Sequence, residues 1–174
     1  METNKLKRFA TEARNILMQG VVHRFTALGF QPDGTPVEEP QLLGGGATFM
    51  GDTVTEDFYH KWQSLAAAIR RHGLKDVVEE AAYTWFNRLM AIRIMTKNGL
   101  IPPVLQYESP GVYVPLIVSE ARQGRLPQMN EEERSRLMPL LDDDSRTAEQ
   151  FSLLIVAFCH AAPILHCCYG HIAD

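Results

Sequence analysis

Near the end of the sequence, thirteen residues contain six side chains of the kinds that bind metals or attack electrophiles: Cys159, His160, His166, Cys167, Cys168 and His171. On a helix, Cys167 and His171 would share a face and could supply half of a zinc site. A closed site needs two more ligands converging there, and the sequence has no Cys-x-x-Cys pair. Neighbouring Cys and His side chains on a helix also point apart, which disfavours a cysteine nucleophile. The pattern favours cysteines buried as small hydrophobic side chains, and we predict no metal site.

Two further segments have the spacing of catalytic loops but lack the residues that the chemistry needs. Residues 46–51 have the glycine spacing of a phosphate loop, yet Asp52 stands where a lysine is required. Residues 101–104 contain two prolines, as in the loop of an amino-methyltransferase, but with Ile101 before them and Val104 after them. That reaction needs an amide or carboxylate to hold the exocyclic amine and an aromatic ring to stack on the base. We therefore predict no catalytic residue in this chain.

The acidic runs at 131–133 and 142–144 each precede a predicted helix, where negative charge complements the helix dipole.

Composition indicates an ordinary folded protein, since 45% of the 174 residues are hydrophobic and the net charge is −4. We expect one domain over residues 1–174, with no secretory signal and no membrane segment. Three cysteines close to the end fit a reducing compartment, so the expected location is the cytoplasm.

The helices that must position any site are marked by capping residues and by apolar side chains at three- and four-residue steps. We predict helices at 3–28, 55–72, 75–97 and 116–123, another after Asn130, and a last one at 146–172 that is kinked by Pro163. The fold class is mostly α: an irregular helical bundle of about five to six helices, with a long Gly/Pro-rich loop at 30–53 that could contain a short strand pair.

The helix at 75–97 is predicted to be the central one, because its apolar residues circle most of the axis. We expect it to be an interior pillar whose core anchors are Tyr83, Trp85, Phe86 and Leu89. The alternative is that these rings and the neighbouring arginines contact DNA directly. Side chains enclosed by neighbours cannot reach a phosphate, so the structural role is favoured.

Three parts of the sequence together resemble the N-terminal region of the PglX-type adenine-specific DNA methyltransferases of BREX phage-defence systems. They are the start Thr3–Ala10 with Ala13 and Arg14, the stretch Ala81–Leu89 with Ala91–Arg93, Asn98 and Gly99, and Cys159–Ala161 followed by Pro163. The middle stretch is the most specific of the three. The Gly-rich loop at 44–51 and the tail at 166–170 depart from the family's pattern.

The resemblance implies a large enzyme that uses S-adenosylmethionine to methylate the N6 of adenine in host DNA, of which this chain is the leading helical part. The family's cofactor loop and Asn-Pro-Pro-Tyr loop have no counterpart here, so we expect the chain alone to be inactive and to bind no cofactor. If it contacts DNA, the candidates are five cations: Lys5, Lys7, Arg8, Arg70 and Arg71. The alternative is a free-standing module that binds either another defence-system protein or a phage protein that mimics the charge of DNA. A third possibility is a small zinc-stabilised helical protein.

Overall fold

The computed structural model describes residues 3–162, 164 and 165, with the side chains of Thr3 and Leu6 excepted. In this part of the chain there are six α-helices and one three-stranded sheet, which confirms the mostly α fold class. None of these helices is long and apolar enough to cross a membrane. The sequence predicted one helical domain; the structure divides into two compact units, one up to Asn87 and one from Arg88 onward.

The first unit contains α1 (Thr3–Ala27), a small sheet, α2 (Glu56–His72) and the first part of α3 (Leu74–Lys97). The core of this unit is aromatic: Trp62 is 2% exposed and its ring stacks on Phe30 with the ring centroids 5.0 Å apart. The indole nitrogen of Trp62 donates a hydrogen bond of 2.9 Å to the carbonyl of Leu28. The end of α1 is thereby fixed against the middle of α2.

The loop predicted at 30–53 contains more structure than a short strand pair. The strands β1 (Gln41–Leu43), β2 (Gly46–Phe49) and β3 (Asp52–Val54) form an antiparallel sheet in the order β1-β2-β3. Both connections are two residues long, and in the second of them Met50 and Gly51 have φ of 49° and 86°. Positive φ at both positions is the geometry of a type I′ hairpin turn, whose twist matches that of the paired strands.

The starts and stops of α2 follow the sequence signals closely. Thr55 accepts a hydrogen bond from the Phe58 amide, and Gly73 ends the helix with φ of 83°. The next helix, α3, begins at Leu74, and its predicted end at Lys97 is confirmed. Capping residues determined these boundaries because they satisfy backbone groups that the helix leaves without a partner.

The second unit contains the rest of α3, then α4 (Leu116–Arg122), α5 (Glu131–Leu137) and α6 (Thr147–Ala161), with 3₁₀ turns at Met138–Leu140 and Asp144–Arg146. Its core is aliphatic and brings together side chains from α3, α4, α5 and α6, among them Ile92, Val118, Leu137 and Leu154. Asn130 and Glu133 form a complete capping box at the start of α5. The acidic run at 131–133 thus has the helix-start position that its sequence indicated.

The last helix is shorter than predicted. It ends at Ala161, and Ala162 has an extended backbone with ψ of 107°. A residue that precedes proline is disfavoured in the α region, which accounts for the end of the helix before Ala162, and the kink predicted at Pro163 lies outside the described residues. Ile164 and Leu165 are again helical, and the predicted continuation at 166–172 lies outside the described residues.

Candidate functional site

The five cations predicted to contact DNA lie on the surface of the first unit. Lys5, Lys7 and Arg8 occupy the first turns of α1, and Arg70 and Arg71 occupy the last turn of α2; all five are exposed. Nε of Arg8 lies 3.4 Å from Glu12, and Nη1 of Arg70 lies 3.8 Å from Glu39. Exposed pairs of this kind are weak and exchange readily, so they leave the guanidinium groups available to a phosphate.

The fold does not bring these five cations together into one patch. A Cβ at Gly34, in the loop that follows α1, would contact the side chains of both Ile69 and Leu74, so the end of α2 lies near the C-terminal end of α1. Lys5, Lys7 and Arg8 lie at the other end, about 30 Å away along the helix axis, since an α-helix rises 1.5 Å per residue. They therefore form two separate basic patches, patch A (Lys5, Lys7, Arg8) and patch B (Arg70, Arg71).

Four residues of α3 were predicted to be core anchors. For Tyr83 this prediction is wrong, because its side chain is 67% exposed. Trp85, Phe86 and Leu89 are partly buried. The buried positions of this part of α3 are Val78 and Ala82, four residues apart on one side of the helix. Tyr83 follows Ala82 by one residue, which rotates its side chain about 100° away from that side. The apolar residues circle the axis as predicted, but the neighbouring elements cover only part of it.

The cysteine and histidine cluster is described only at its beginning. Cys159 is buried in the core of the second unit, and Nδ1 of His160 lies 3.5 Å from Oε1 of Glu133. His166, Cys167, Cys168 and His171 lie outside the described residues. Within residues 3–162, 164 and 165, no three ligand-type side chains converge as a metal site would require.

The two segments that had the spacing of catalytic loops have structural roles. Residues 46–51 form β2 and its hairpin turn, so their backbone groups pair with β1 and β3. Ile101 and Val104 are buried in the second core, and the carbonyl of Pro102 between them accepts a hydrogen bond from Thr96. Neither segment presents a helix N-terminus or an exposed aromatic ring to a ligand.

Sequence reasoning missed a cavity in the second unit. It has a volume of about 260 Å³ and is lined by Arg93, Thr96, Lys97, Leu105 and Gln106. Arg93, which belongs to the middle stretch of the family resemblance, is exposed. The signal available in the sequence was the spacing of Arg93 and Lys97, four residues apart on one predicted helix.

Comparison with known proteins gave two relatives, and no family model matches the chain. Over 169 residues the chain is 27% identical to the adenine-specific methyltransferase BrxX of Escherichia coli O9:H4 (strain HS), an alignment that covers 92% of this chain and 14% of that protein. Over 135 residues it is 31% identical to the adenine-specific methyltransferase PglX of Lacticaseibacillus casei (strain Zhang), covering 70% of this chain and 11% of that protein. The chain spans about one seventh or less of the length of these relatives.

Proposed function

Since the chain is related over most of its length to a region of the PglX-type adenine-specific methyltransferases, we propose that it forms the N-terminal helical part of such an enzyme in phage defence. In this role it supports methyl transfer to adenine in DNA that is performed by another part of the protein. The observation that carries the proposal is the alignment across 92% of the chain with only 14% of BrxX. A region of that size leaves most of the enzyme to carry the chemistry.

For S-adenosylmethionine, the cofactor that the resemblance implies, neither of the two segments with the spacing of a catalytic loop offers a binding loop. The glycine-rich segment is a β-hairpin, and the di-proline segment is held in the core by Ile101 and Val104. We assign no step of the reaction to this chain and place the cofactor in the remainder of the enzyme. Because host DNA is the expected substrate, the protein would work in the cytoplasm.

We assign to patches A and B the role of holding duplex DNA through its phosphates. The patches are basic and exposed, although the whole chain has a net charge of −4. Flexible cations that neutralise phosphates contribute affinity without reading bases, which suits a region that supports catalysis elsewhere. Patch A lies on α1 and patch B on α2, so the two patches would contact phosphates at separate points of the duplex.

The test is charge reversal, with binding of a labelled DNA duplex measured over a series of salt concentrations. The variants are Lys5→Glu/Lys7→Glu/Arg8→Glu for patch A and Arg70→Glu/Arg71→Glu for patch B. Each phosphate that a variant no longer neutralises should lower the slope of log K against log [salt] by about 0.9. The control is Arg134→Glu/Arg136→Glu, which makes the same charge change as the patch B variant on exposed residues of α5. Slopes that stay at the wild-type value would refute the assignment of both patches.

A second candidate function is a module that binds another protein of the defence system. The observation that favours it is apolar exposure on the small sheet, where Leu42, Leu43 and Met50 are 50%, 55% and 51% exposed. A protein partner would remain bound in a pull-down at salt concentrations that release DNA, whereas the first candidate predicts release of DNA with no retained protein.

A further inference from the structure

The cavity in the second unit is lined by adjacent cations, and the loop that begins at its edge carries two exposed aromatic rings; nucleic-acid sites combine these two features. From this combination we infer that the cavity binds an unpaired nucleotide of a nucleic-acid strand, with a phosphate at Arg93 and Lys97 and a base stacked on Tyr113. This site would be a further contact with nucleic acid, beyond those of the proposed function. The inference depends on the proposed function only in identifying the ligand as nucleic acid. It is independent of patches A and B, which lie in the other unit.

The first argument concerns the two cations. Arg93 and Lys97 lie four residues apart on α3, with Thr96 between them, and all three line the cavity. Like charges at this spacing repel each other and destabilise a helix. Within the described part of the chain, neither cation has a carboxylate at ion-pair distance, in contrast to Arg8, Arg14 and Arg70. The helix dipole accounts for Lys97, which lies in the last turn of α3, but not for Arg93 one turn earlier, whereas an anion in the cavity would account for both.

The second argument concerns the charge of the surrounding sequence. From residue 81 to residue 119 there are three basic residues, Arg88, Arg93 and Lys97, and one acidic residue, Glu108. The half of the chain after residue 100 is otherwise acidic, with ten Asp and Glu against five Lys and Arg. The cavity thus lies in a locally basic segment, which would attract a phosphate. Charge alone would not distinguish a phosphate from a carboxylate-rich peptide.

The third argument concerns the loop that adjoins the cavity. Gln106 lines the cavity and its carbonyl accepts a hydrogen bond of 2.7 Å from the Leu116 amide, while Tyr107 forms a β-bridge with Pro115. These contacts close a loop whose base is at the cavity. The loop holds Tyr107 and Tyr113 in a T-shaped pair with ring centroids 5.8 Å apart, and the two side chains are 56% and 80% exposed.

Two exposed rings on a closed loop contribute little to the core, so their placement needs another explanation. Aromatic rings beside cations are the usual means of binding unpaired nucleotides, because each base has a face on which a ring can stack. The ring of Tyr113 is in contact with Tyr107 and is still 80% exposed, so it is accessible to a ligand. Enzymes that modify a base take a nucleotide out of the duplex stack, so unpaired nucleotides occur where such an enzyme acts.

The experiment measures binding of a fluorescein-labelled 20-nucleotide single strand, and of the corresponding duplex, to the 174-residue chain by fluorescence anisotropy. Tyr113→Ala should weaken binding of the single strand by about tenfold or more, leave the salt slope unchanged and affect the duplex less. Arg93→Glu/Lys97→Glu should weaken binding of the single strand and lower the salt slope by about 0.7 for each phosphate that is no longer neutralised. Circular dichroism confirms that each variant is folded.

Matched controls separate this site from general charge and aromatic effects. Tyr83→Ala removes another exposed tyrosine, from α3, and Arg134→Glu/Arg136→Glu gives the same charge change on α5. The inference is overturned if the site variants bind the single strand as the wild type does, if the controls weaken binding equally, or if polyglutamate competes as well as an unlabelled strand. Loss of single-strand binding in the site variants, with the patch A and B variants unaffected, would support this site, and only unchanged binding of the duplex by the patch variants would refute the proposed patches.

Discussion

At the scale of single residues, Gln150 joins three elements of the second unit. It is fully buried; its amide nitrogen donates to the carbonyls of Leu140 and Asp143, and its amide oxygen accepts two hydrogen bonds from Arg122. Arg122 in turn lies 2.7 Å from Asp144. One polar side chain in an aliphatic core thereby satisfies two carbonyls and one guanidinium group.

Gln150→Leu should lower the free energy of unfolding by about 1–3 kcal/mol, because the carbonyls of Leu140 and Asp143 and the guanidinium group of Arg122 each lose hydrogen bonding that leucine cannot replace. Urea unfolding followed by circular dichroism measures the change. The control Gln128→Leu alters an exposed glutamine and should change stability by less than about 0.5 kcal/mol. Equal effects of the two substitutions would show that the network contributes nothing.

Asp143 provides a pH-dependent contribution at the turn before α6. Hydrogen bonds from the hydroxyl and then the amide of Ser145 lower the pKa of this carboxyl below its ordinary value of 3.8. A lowered pKa in the folded state means that the stabilisation is complete above the unfolded pKa and is lost as the pH falls through the folded pKa. Asp143→Ala should therefore lower the Tm at pH 7, and the difference from wild type should shrink below about pH 4. A difference in Tm that is constant from about pH 7 to about pH 3 would contradict this account.

At the scale of elements, the sheet of the first unit contains a strained turn. Met50 has φ of 49°, in the left-handed region that costs a residue with a side chain about 1–2 kcal/mol. The sheet is held against α2 by Phe49, whose ring lies 5.5 Å from Phe58 and 6.1 Å from Trp62. The turn, and not the packing, is the weak part of this hairpin.

Met50→Asn should raise the free energy of unfolding by up to about 1 kcal/mol, since Asn-Gly is the preferred sequence of a type I′ turn. The comparison is Gly51→Ala, which places a side chain at φ of 86° and should lower stability by a similar amount. Both are measured by thermal unfolding monitored through tryptophan fluorescence. Stabilisation by Gly51→Ala would show that the turn geometry is not what limits the hairpin.

The elements differ in how far the sequence could predict them. Thr55, Gly73 and Asn130 marked helix boundaries correctly, because a cap depends on residues within one turn of it. The three-stranded sheet was predicted only as a possible strand pair, since segments of three or four residues are too short to show an alternating pattern. The sequence signal for this sheet was the pair of two-residue connections between the strands, Gly-Gly and Met-Gly.

At the scale of the whole molecule, the site residues were harder to predict than the elements. The exposure of Tyr83 depends on which neighbours cover α3, and the cavity at Arg93 depends on a loop that returns to this helix from residue 106. Such contacts join segments far apart in sequence, so periodicity cannot reveal them. The family relation, in contrast, was predictable, because the types and order of residues in the aromatic stretch are a property of the sequence itself.

We propose that this region supports adenine methylation that is performed elsewhere in a much longer enzyme. This proposal is tested most directly in the Lacticaseibacillus casei relative, by deleting the segment that matches this chain and measuring N6-methyladenine in DNA together with binding of S-adenosylmethionine. The account predicts that methylation is lost while the remainder of the enzyme still binds S-adenosylmethionine. Unchanged methylation, or loss of cofactor binding together with appearance of that binding in the isolated 174-residue chain, would contradict it.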